Sequence, residues 1–177
     1  MRILVAVATA AACLLAGDLS NRRAPGFALM DSGFERFYDP ADYRGKILLV
    51  DFMSTTCPHC VQFAQVLEEL ASHNRERVAV LEIVVPPDNQ STVAQYIKEK
   101  KITVPVLFDC GQATASYMQA TPKHPHIGFP HVFIVDAKGW IRNDYEYSPA
   151  TKDVFEGRAL FDEIDRMLTA PPKAQKR

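Results

Sequence analysis

The chain has 177 residues, of which 47% are hydrophobic and 23% are charged, a composition typical of one soluble globular domain. This composition excludes a disordered chain, a collagen-like repeat and a disulfide-stapled miniprotein. The 20 lysine and arginine residues nearly balance the 21 aspartate and glutamate residues, so the net charge is −1, and no basic stripe indicates a nucleic-acid partner. Four cysteines are too few for a disulfide framework but are enough for thiol chemistry.

The first 17 residues have the pattern of a secretory signal peptide. Met1-Arg2 gives a short basic start, and residues 3–17 contain no charge and are too short to span a bilayer comfortably. Cleavage is expected after Ala12 or after Gly17, with lipidation at Cys13 and a retained buried strand as the alternatives. We therefore expect a periplasmic or otherwise extracytoplasmic protein, in a compartment where cysteine pairs can cycle through disulfides.

The rest of the chain is predicted to form one domain without repeats. A short strand or hairpin is expected to begin at Phe27 and to end near Gly33. The predicted boundaries are a linker at residues 18–26, the domain at residues 27–170 and a polar tail at residues 171–177.

The domain is predicted to be α/β, with a mixed central β-sheet flanked by helices on both faces. The almost unbroken apolar run at residues 47–52 predicts a central strand that is buried on both faces. From Pro58 to about His73 the apolar spacing becomes that of a helix with one buried face. The other predicted elements are an uninterrupted buried strand at 78–85, a helix capped by Ser91 and ending near Lys100, a strand at 104–108, a helix at 112–119, a hairpin of 131–136 and 140–145, and a closing helix at 155–168.

The sequence Cys57-Pro58-His59-Cys60 lies directly after the predicted central strand, at the start of a helix. Thiols at positions i and i+3 in a first helical turn can close a disulfide without backbone movement. The unpaired amides and the positive dipole end of the helix favour a thiolate at Cys57. Cys57 is therefore the predicted nucleophile, Cys60 the resolving cysteine, and His59 a donor or cation beside the Cys57 sulfur.

Two other uses of the cysteine pair remain open from the residues alone. A zinc or copper site needs further ligands, for which His124, His126 and His131 are the candidates. A purely structural disulfide would gain little stability from closing so short a loop.

These features together resemble the thioredoxin-like superfamily, and within it the exported TlpA/ResA-type thiol–disulfide oxidoreductases, which are related to the AhpC/TSA proteins. The resemblance covers roughly residues 24–168, and the helix and strand at 91–108 match the insertion that separates this branch from plain thioredoxins. It implies a thioredoxin-like fold, no cofactor or metal, protein thiol and disulfide substrates, and a membrane-bound electron-transfer partner. The matching residues are, in order, Ala24-Pro25-x-Phe27-x-Leu29-x-Asp31, Tyr43-Arg44-Gly45-Lys46, the apolar strand, the C-x-x-C motif and Gly128-Phe129-Pro130.

The resemblance also implies roles for residues outside the dithiol. Pro130 matches the family's cis-proline, which leaves the backbone of Phe129 free to pair with a substrate strand; an ordinary trans turn is the alternative. Asp51, six residues before Cys57, matches the buried acid of thioredoxins. Burial would raise the pKa of this carboxyl group, which could then relay a proton to or from Cys60. A surface position is the alternative for Asp51.

Two departures from the family pattern leave the direction of electron flow open. The TlpA/ResA branch usually has a bulky aromatic residue shortly before the first cysteine, whereas this chain has Ser54-Thr55-Thr56. The Pro-His dipeptide of this chain instead resembles that of DsbA, a strong oxidant.

Cys110 is predicted to be a small buried residue at a strand end, with a relay disulfide as the alternative.

Thiol peroxidase is the alternative enzymatic function, because peroxiredoxins share the fold and the Pro-x-Phe-x-Leu start. Their peroxidatic cysteine normally follows a Pro-x-x-x-Thr-x-x-Cys pattern. In this chain the corresponding positions hold Val50 and Ser54, so that both characteristic residues are missing.

Overall fold

A computed structural model of the protein describes residues 17–123 and 125–169. The lipidation candidate Cys13, almost all of the predicted signal peptide, the candidate metal ligand His124 and the predicted polar tail lie outside the described residues.

The elements of the described residues alternate between strands and helices as expected, and a 3₁₀ helix at Pro40–Tyr43 leads into the central strand. In chain order they are β1 Arg22–Arg23, β2 Leu29–Met30, β3 Phe37–Tyr38, β4 Ile47–Met53, α1 Pro58–His73, β5 Val78–Val84, α2 Gln90–Lys100, β6 Val106–Phe108, α3 Gln112–Met118, β7 His131–Val135, β8 Trp140–Glu146, α4 Lys152–Phe155 and α5 Arg158–Thr169.

The sheet is mixed, with the order β1-β8-β7-β4-β5-β6. Strands β4, β5 and β6 pair in parallel, whereas β7 joins β4 in antiparallel fashion and β8 and β1 extend that half. The predicted α/β class with a mixed central sheet is therefore confirmed. Strands β2 and β3 form a separate small hairpin.

Strand β4 is central because both faces of the sheet are covered, and all seven of its residues are buried. On one face Leu49 packs in a cluster with residues of α1, α4 and α5. On the other face Val50 packs in a cluster that includes Tyr117 of α3. Burial on two sides explains why the strand is apolar almost throughout. Asp51 is its one charged residue and points to the α1 side.

The hairpin of β2 and β3 extends to Tyr38, beyond its predicted end near Gly33, and the structure differs from the prediction at three further places. Residues 22 and 23, within the predicted linker, form β1, because the exposed edge of β8 offers unpaired backbone groups to Asn21 and Ala24. Asn89, not Ser91, caps α2, and its side chain accepts the backbone N–H groups of Ser91 and Thr92. The predicted closing helix is divided into α4 and α5 at Gly157, whose φ of +95° is left-handed.

No helix within the described ranges is long and apolar enough to cross a bilayer.

Candidate active site

The dithiol lies where β4 ends and α1 begins, at the edge of the sheet formed by the carboxyl ends of the parallel strands. Cys57 is the N-cap of α1, and its sulfur accepts the backbone N–H of Cys60 at 3.4 Å. Pro58, at the first helical position, has no N–H to satisfy and suits that position. The helix start therefore supports the predicted role of Cys57.

As predicted, Cys57 is more exposed than Cys60. Cys57 is half-buried, whereas Cys60 is fully buried, and both are free thiols. Burial is the main cause that raises the pKa of Cys60, followed by its hydrogen bond with Cys57, and the charge of Asp51 acts in the same direction. Cys60 therefore needs a neighbouring group to take its proton before it can act as a nucleophile.

The loop before β7 lies against the Cys57 sulfur. The Phe129–Pro130 peptide bond is cis, and the Cys57 sulfur lies 3.9 Å from the carbonyl oxygen of Phe129. The Pro130 carbonyl accepts the backbone N–H of Tyr147, which joins this loop to the end of β8. The structure thus brings Phe129 and Pro130 together with the dithiol.

His59 is exposed, and its imidazole stacks on the ring of Tyr147 with 3.9 Å between the ring centroids and 20° between the planes. Tyr147 in turn contacts Phe155 edge-on at 5.4 Å. Sequence reasoning missed Tyr147, because it lies far from the dithiol in the chain. A cavity of about 290 Å³ adjoins this stack and is lined by His59, Gln62, Tyr147, Lys152, Phe155 and Glu156.

Asp51 is fully buried beneath the dithiol, so the alternative of a surface position is wrong. Neither of its carboxyl oxygens has a hydrogen-bond partner among the described residues. Burial raises the pKa of Asp51 well above its ordinary value, and the charges of Glu82 and then Cys57 add to this effect. This is the direction that the sequence predicts.

Glu82 and Tyr96 are further buried polar residues of this region, which sequence reasoning missed. Glu82 is the register partner of Asp51 on β5 and is also fully buried. The Tyr96 hydroxyl on α2 donates to the Glu82 carboxyl group, at 3.0 and 3.2 Å from its two oxygens. Burial raises the pKa of Glu82 to about 8 despite this bond. The available signal was a glutamate inside residues 78–85, a run that the prediction treated as uninterrupted.

Metal binding was the alternative use of the cysteines. Within residues 17–123 and 125–169, no group of three or more histidine, cysteine, aspartate or glutamate side chains is arranged to hold a metal ion. Of the candidate ligands, His126 bonds to Glu146 at 2.9 Å and His131 bonds to the buried Asp144 at 3.2 Å.

Cys110 is exposed, so the prediction that it is buried is wrong. The chain turns here to begin α3, and the preceding residue, Asp109, is buried. Its carboxylate accepts the backbone N–H groups of Ala113 and Thr114. This leaves the Cys110 side chain on the outside of the turn.

Residues 21–144 match the sequence profile of the AhpC/TSA family. The chain belongs to the AhpC/TSA family. It is 25% identical over 148 residues to the thioredoxin-like protein YneN of Bacillus subtilis, a match that covers 82% of each chain. It is also 34% identical over 87 residues to a thioredoxin of Staphylococcus aureus, covering 47% of this chain and 82% of the thioredoxin.

A solved structure of similar fold is that of a secreted Mycobacterium tuberculosis disulfide oxidoreductase homologous to Escherichia coli DsbE. The match has a TM-score of 0.60 at 20% identity and covers 76% of this chain and 95% of the other. The thioredoxin-like fold that the sequence predicts for this AhpC/TSA protein is therefore confirmed.

Proposed function

We propose that this protein is an extracytoplasmic thiol–disulfide oxidoreductase that exchanges disulfides with protein substrates through Cys57 and Cys60. The observation that carries the proposal is the asymmetric dithiol, in which a half-buried sulfur caps a helix and a fully buried thiol lies one turn deeper. Membership of a thioredoxin-like family supports the same reaction.

The geometry supports a two-step exchange. In the reductive direction the Cys57 thiolate attacks one sulfur of a substrate disulfide, and the other substrate sulfur leaves as a thiolate. Deprotonated Cys60 then attacks the Cys57 sulfur and expels the second substrate sulfur as a thiolate. The substrate gains two electrons and the Cys57–Cys60 disulfide forms. In the oxidative direction each step runs backwards.

The loop at Phe129 and Pro130 supports binding of an extended substrate segment. It places backbone groups beside the Cys57 sulfur, where a substrate strand would present its own sulfur. His59 and Tyr147 border the dithiol on the side of the cavity, so that a substrate meets a polar aromatic wall there.

The proposed extracytoplasmic location rests on the pattern of the first 17 residues, which supports export. In that compartment the dithiol must be reset after each turnover by an outside redox partner. We propose that this partner is a membrane-bound electron-transfer protein.

The decisive experiment uses Cys57→Ser and Cys60→Ser with a peptide that contains one disulfide. Cys57→Ser is expected to abolish exchange, and Cys60→Ser to stop at a covalent adduct with the peptide, identified by mass spectrometry. Cys110→Ser, which removes an exposed thiol outside the dithiol, is the control and should retain exchange. Failure of Cys60→Ser to form any adduct would contradict the proposal.

The equilibrium of the dithiol against graded glutathione or dithiothreitol buffers then gives the direction of electron flow. A reduction potential near about −120 mV, as in DsbA, would identify an oxidant. A value near or below about −270 mV, as in thioredoxin, would identify a reductant.

Thiol peroxidase is the second candidate, because the AhpC/TSA family match is compatible with it. The discriminating measurement is the rate at which the reduced protein consumes hydrogen peroxide. Rapid consumption together with no exchange on the peptide disulfide would put peroxidase in first place.

A further inference from the structure

Asp51 and Glu82 place two carboxyl groups side by side in the protein interior. They are paired residues on the neighbouring parallel strands β4 and β5, which lie about 4.8 Å apart. Both side chains point to the face that α1 and α2 cover, and both are fully buried. Carboxyl groups in such a position interact strongly, because water does not screen them.

The hydrogen bonds around the two carboxyl groups are unequal. The Tyr96 hydroxyl supplies its one proton to Glu82, while both Asp51 oxygens lack a partner among the described residues. The described part of the chain also contains no ion pair between a cation and either carboxyl group. Two adjacent carboxylates without a counter-charge repel each other and are costly to bury, so the arrangement favours retention of at least one proton.

The pair faces the dithiol. Asp51 acts electrostatically on both Cys57 and Cys60, and Tyr96 is affected by Cys60 as well as by the two carboxyl groups. From α1, Glu68 adds a further negative charge that acts on Glu82. Its carboxylate accepts hydrogen bonds from the backbone N–H groups of Thr103 and Val104.

We infer that Glu82 is a positioning residue of the thiol–disulfide reaction, which acts through Asp51 so that the two carboxyl groups together hold the proton that Cys60 gives up and takes back. The inference rests on the proposed function, because it assigns a role in the step that Cys60 performs.

Before the step, the carboxyl groups of Asp51 and Glu82 together hold one proton and one negative charge. Cys60 gives its proton to the ionised carboxyl group, and its sulfur forms a bond to the Cys57 sulfur. The bond between Cys57 and the substrate sulfur breaks, and the substrate sulfur leaves with the electron pair as a thiolate. In the reverse direction the pair returns the proton to the Cys60 sulfur as the Cys57–Cys60 bond opens.

The first test is the titration of the Asp51 side chain, followed by carbon-13 NMR of its carboxyl group in the reduced full-length protein. In Glu82→Gln the neighbouring negative charge is lost, so the Asp51 midpoint should move to lower pH by more than about one unit, the coupling expected of an interacting pair. Glu69→Gln removes a charge from the exposed side of α1 and should leave the midpoint in place. An unchanged midpoint in Glu82→Gln would overturn the inference.

The second test is the pH dependence of the resolving step, measured as release of the peptide from its adduct with Cys57. In Glu82→Gln the pH midpoint of release should follow the Asp51 midpoint downward. Tyr96→Phe removes the bond that stabilises ionised Glu82, so it should move the Glu82 titration in the opposite direction, to higher pH.

The outcomes separate the inference from the proposed function. If release occurs but keeps the same pH profile in Glu82→Gln, the positioning role is wrong and disulfide exchange stands. If Cys60→Ser forms no adduct at any pH, the proposed function fails, while the NMR titration still decides whether the carboxyl groups are coupled. Glutamine keeps the size of Glu82 and an oxygen for the Tyr96 hydroxyl, so this variant is expected to fold, which circular dichroism would check.

Discussion

His59 lies between the two cysteines in the sequence, and its contact with Tyr147 sets where its ring is held. The two rings are almost parallel, which places the imidazole over the face of the phenol. Stacked rings restrain each other, so Tyr147 helps to fix the position of the imidazole. The contact therefore connects the end of β8 to the first turn of α1.

Removal of the Tyr147 ring is expected to slow the reaction of the Cys57 sulfur with an alkylating agent. In Tyr147→Ala the imidazole loses a stacking contact worth about 0.5–1 kcal/mol, so it is held less firmly beside Cys57. We expect alkylation of Cys57 by iodoacetamide at neutral pH to slow by about two- to five-fold. Tyr147→Phe retains the ring and serves as the control. Equal rates in all three proteins would show that the stack has no influence on the nucleophile.

At the scale of elements, the pairing of β4 with β5 links stability to pH. Glu82 ionises near 4.5 in an unfolded chain, but burial raises its pKa to about 8 in the folded protein. Between these values the folded state holds a proton that the unfolded state has lost. Unfolding is then favoured as the pH rises, so this group makes the folded protein less stable at pH 8 than at pH 5. The raised pKa of Asp51 acts in the same direction.

Urea unfolding at a series of pH values checks this dependence. The free energy of unfolding should fall between about pH 5 and pH 8, by up to a few kcal/mol at roughly 1.4 kcal/mol for each unit of pKa difference. Glu82→Gln cannot ionise and should show a shallower fall, whereas Glu69→Gln, on the exposed side of α1, should match the unsubstituted protein. A Glu82→Gln profile as steep as that of the unsubstituted protein would contradict a raised pKa of Glu82 in the folded protein.

The elements that local sequence patterns determine were predicted closely. The helical spacing begins at Pro58 and ends at His73, which are the ends of α1, because one apolar face and a first-turn proline are local signals. The cap of α2 was not predicted, since asparagine and serine both cap helices. Asn89 is distinguished by a reciprocal bond, in which its backbone N–H donates to the Thr92 hydroxyl oxygen. Division of the closing helix at Gly157 depends on tertiary packing in addition to helix propensity.

The residues of the site also divide into those that local motifs predict and those that only long-range packing brings together. Cys57 and Cys60 are neighbours within one motif, and Pro130 was found through a resemblance of ordered motifs. Tyr96 and Tyr147 reach the site only through long-range packing, which spacing along the chain does not encode. Glu82 was detectable as a charged residue in a predicted buried strand, but its pairing with Asp51 depends on the strand register.

At the scale of the whole molecule, export remains a prediction that a direct measurement can check. When the full chain is expressed in a bacterial host, the protein recovered from the cell envelope should lack its first residues. Mass spectrometry of its N-terminus should show cleavage after Ala12 or Gly17, or a lipid on Cys13 that Cys13→Ala abolishes. Recovery from the cytosol with Met1 and the following residues intact would contradict the prediction.

Strand β1 determines where the chain entering the domain is attached. Arg22 and Arg23 pair with β8, and the backbone N–H of Leu19 donates to Asp144 at 3.1 Å, so the entering chain is fastened at the sheet edge opposite β6. If Cys13 carries a lipid, the nine residues from there to Arg22 span at most about 30 Å. A dithiol on so short a tether would act only on clients at the membrane surface, whereas a cleaved form would diffuse freely through its compartment.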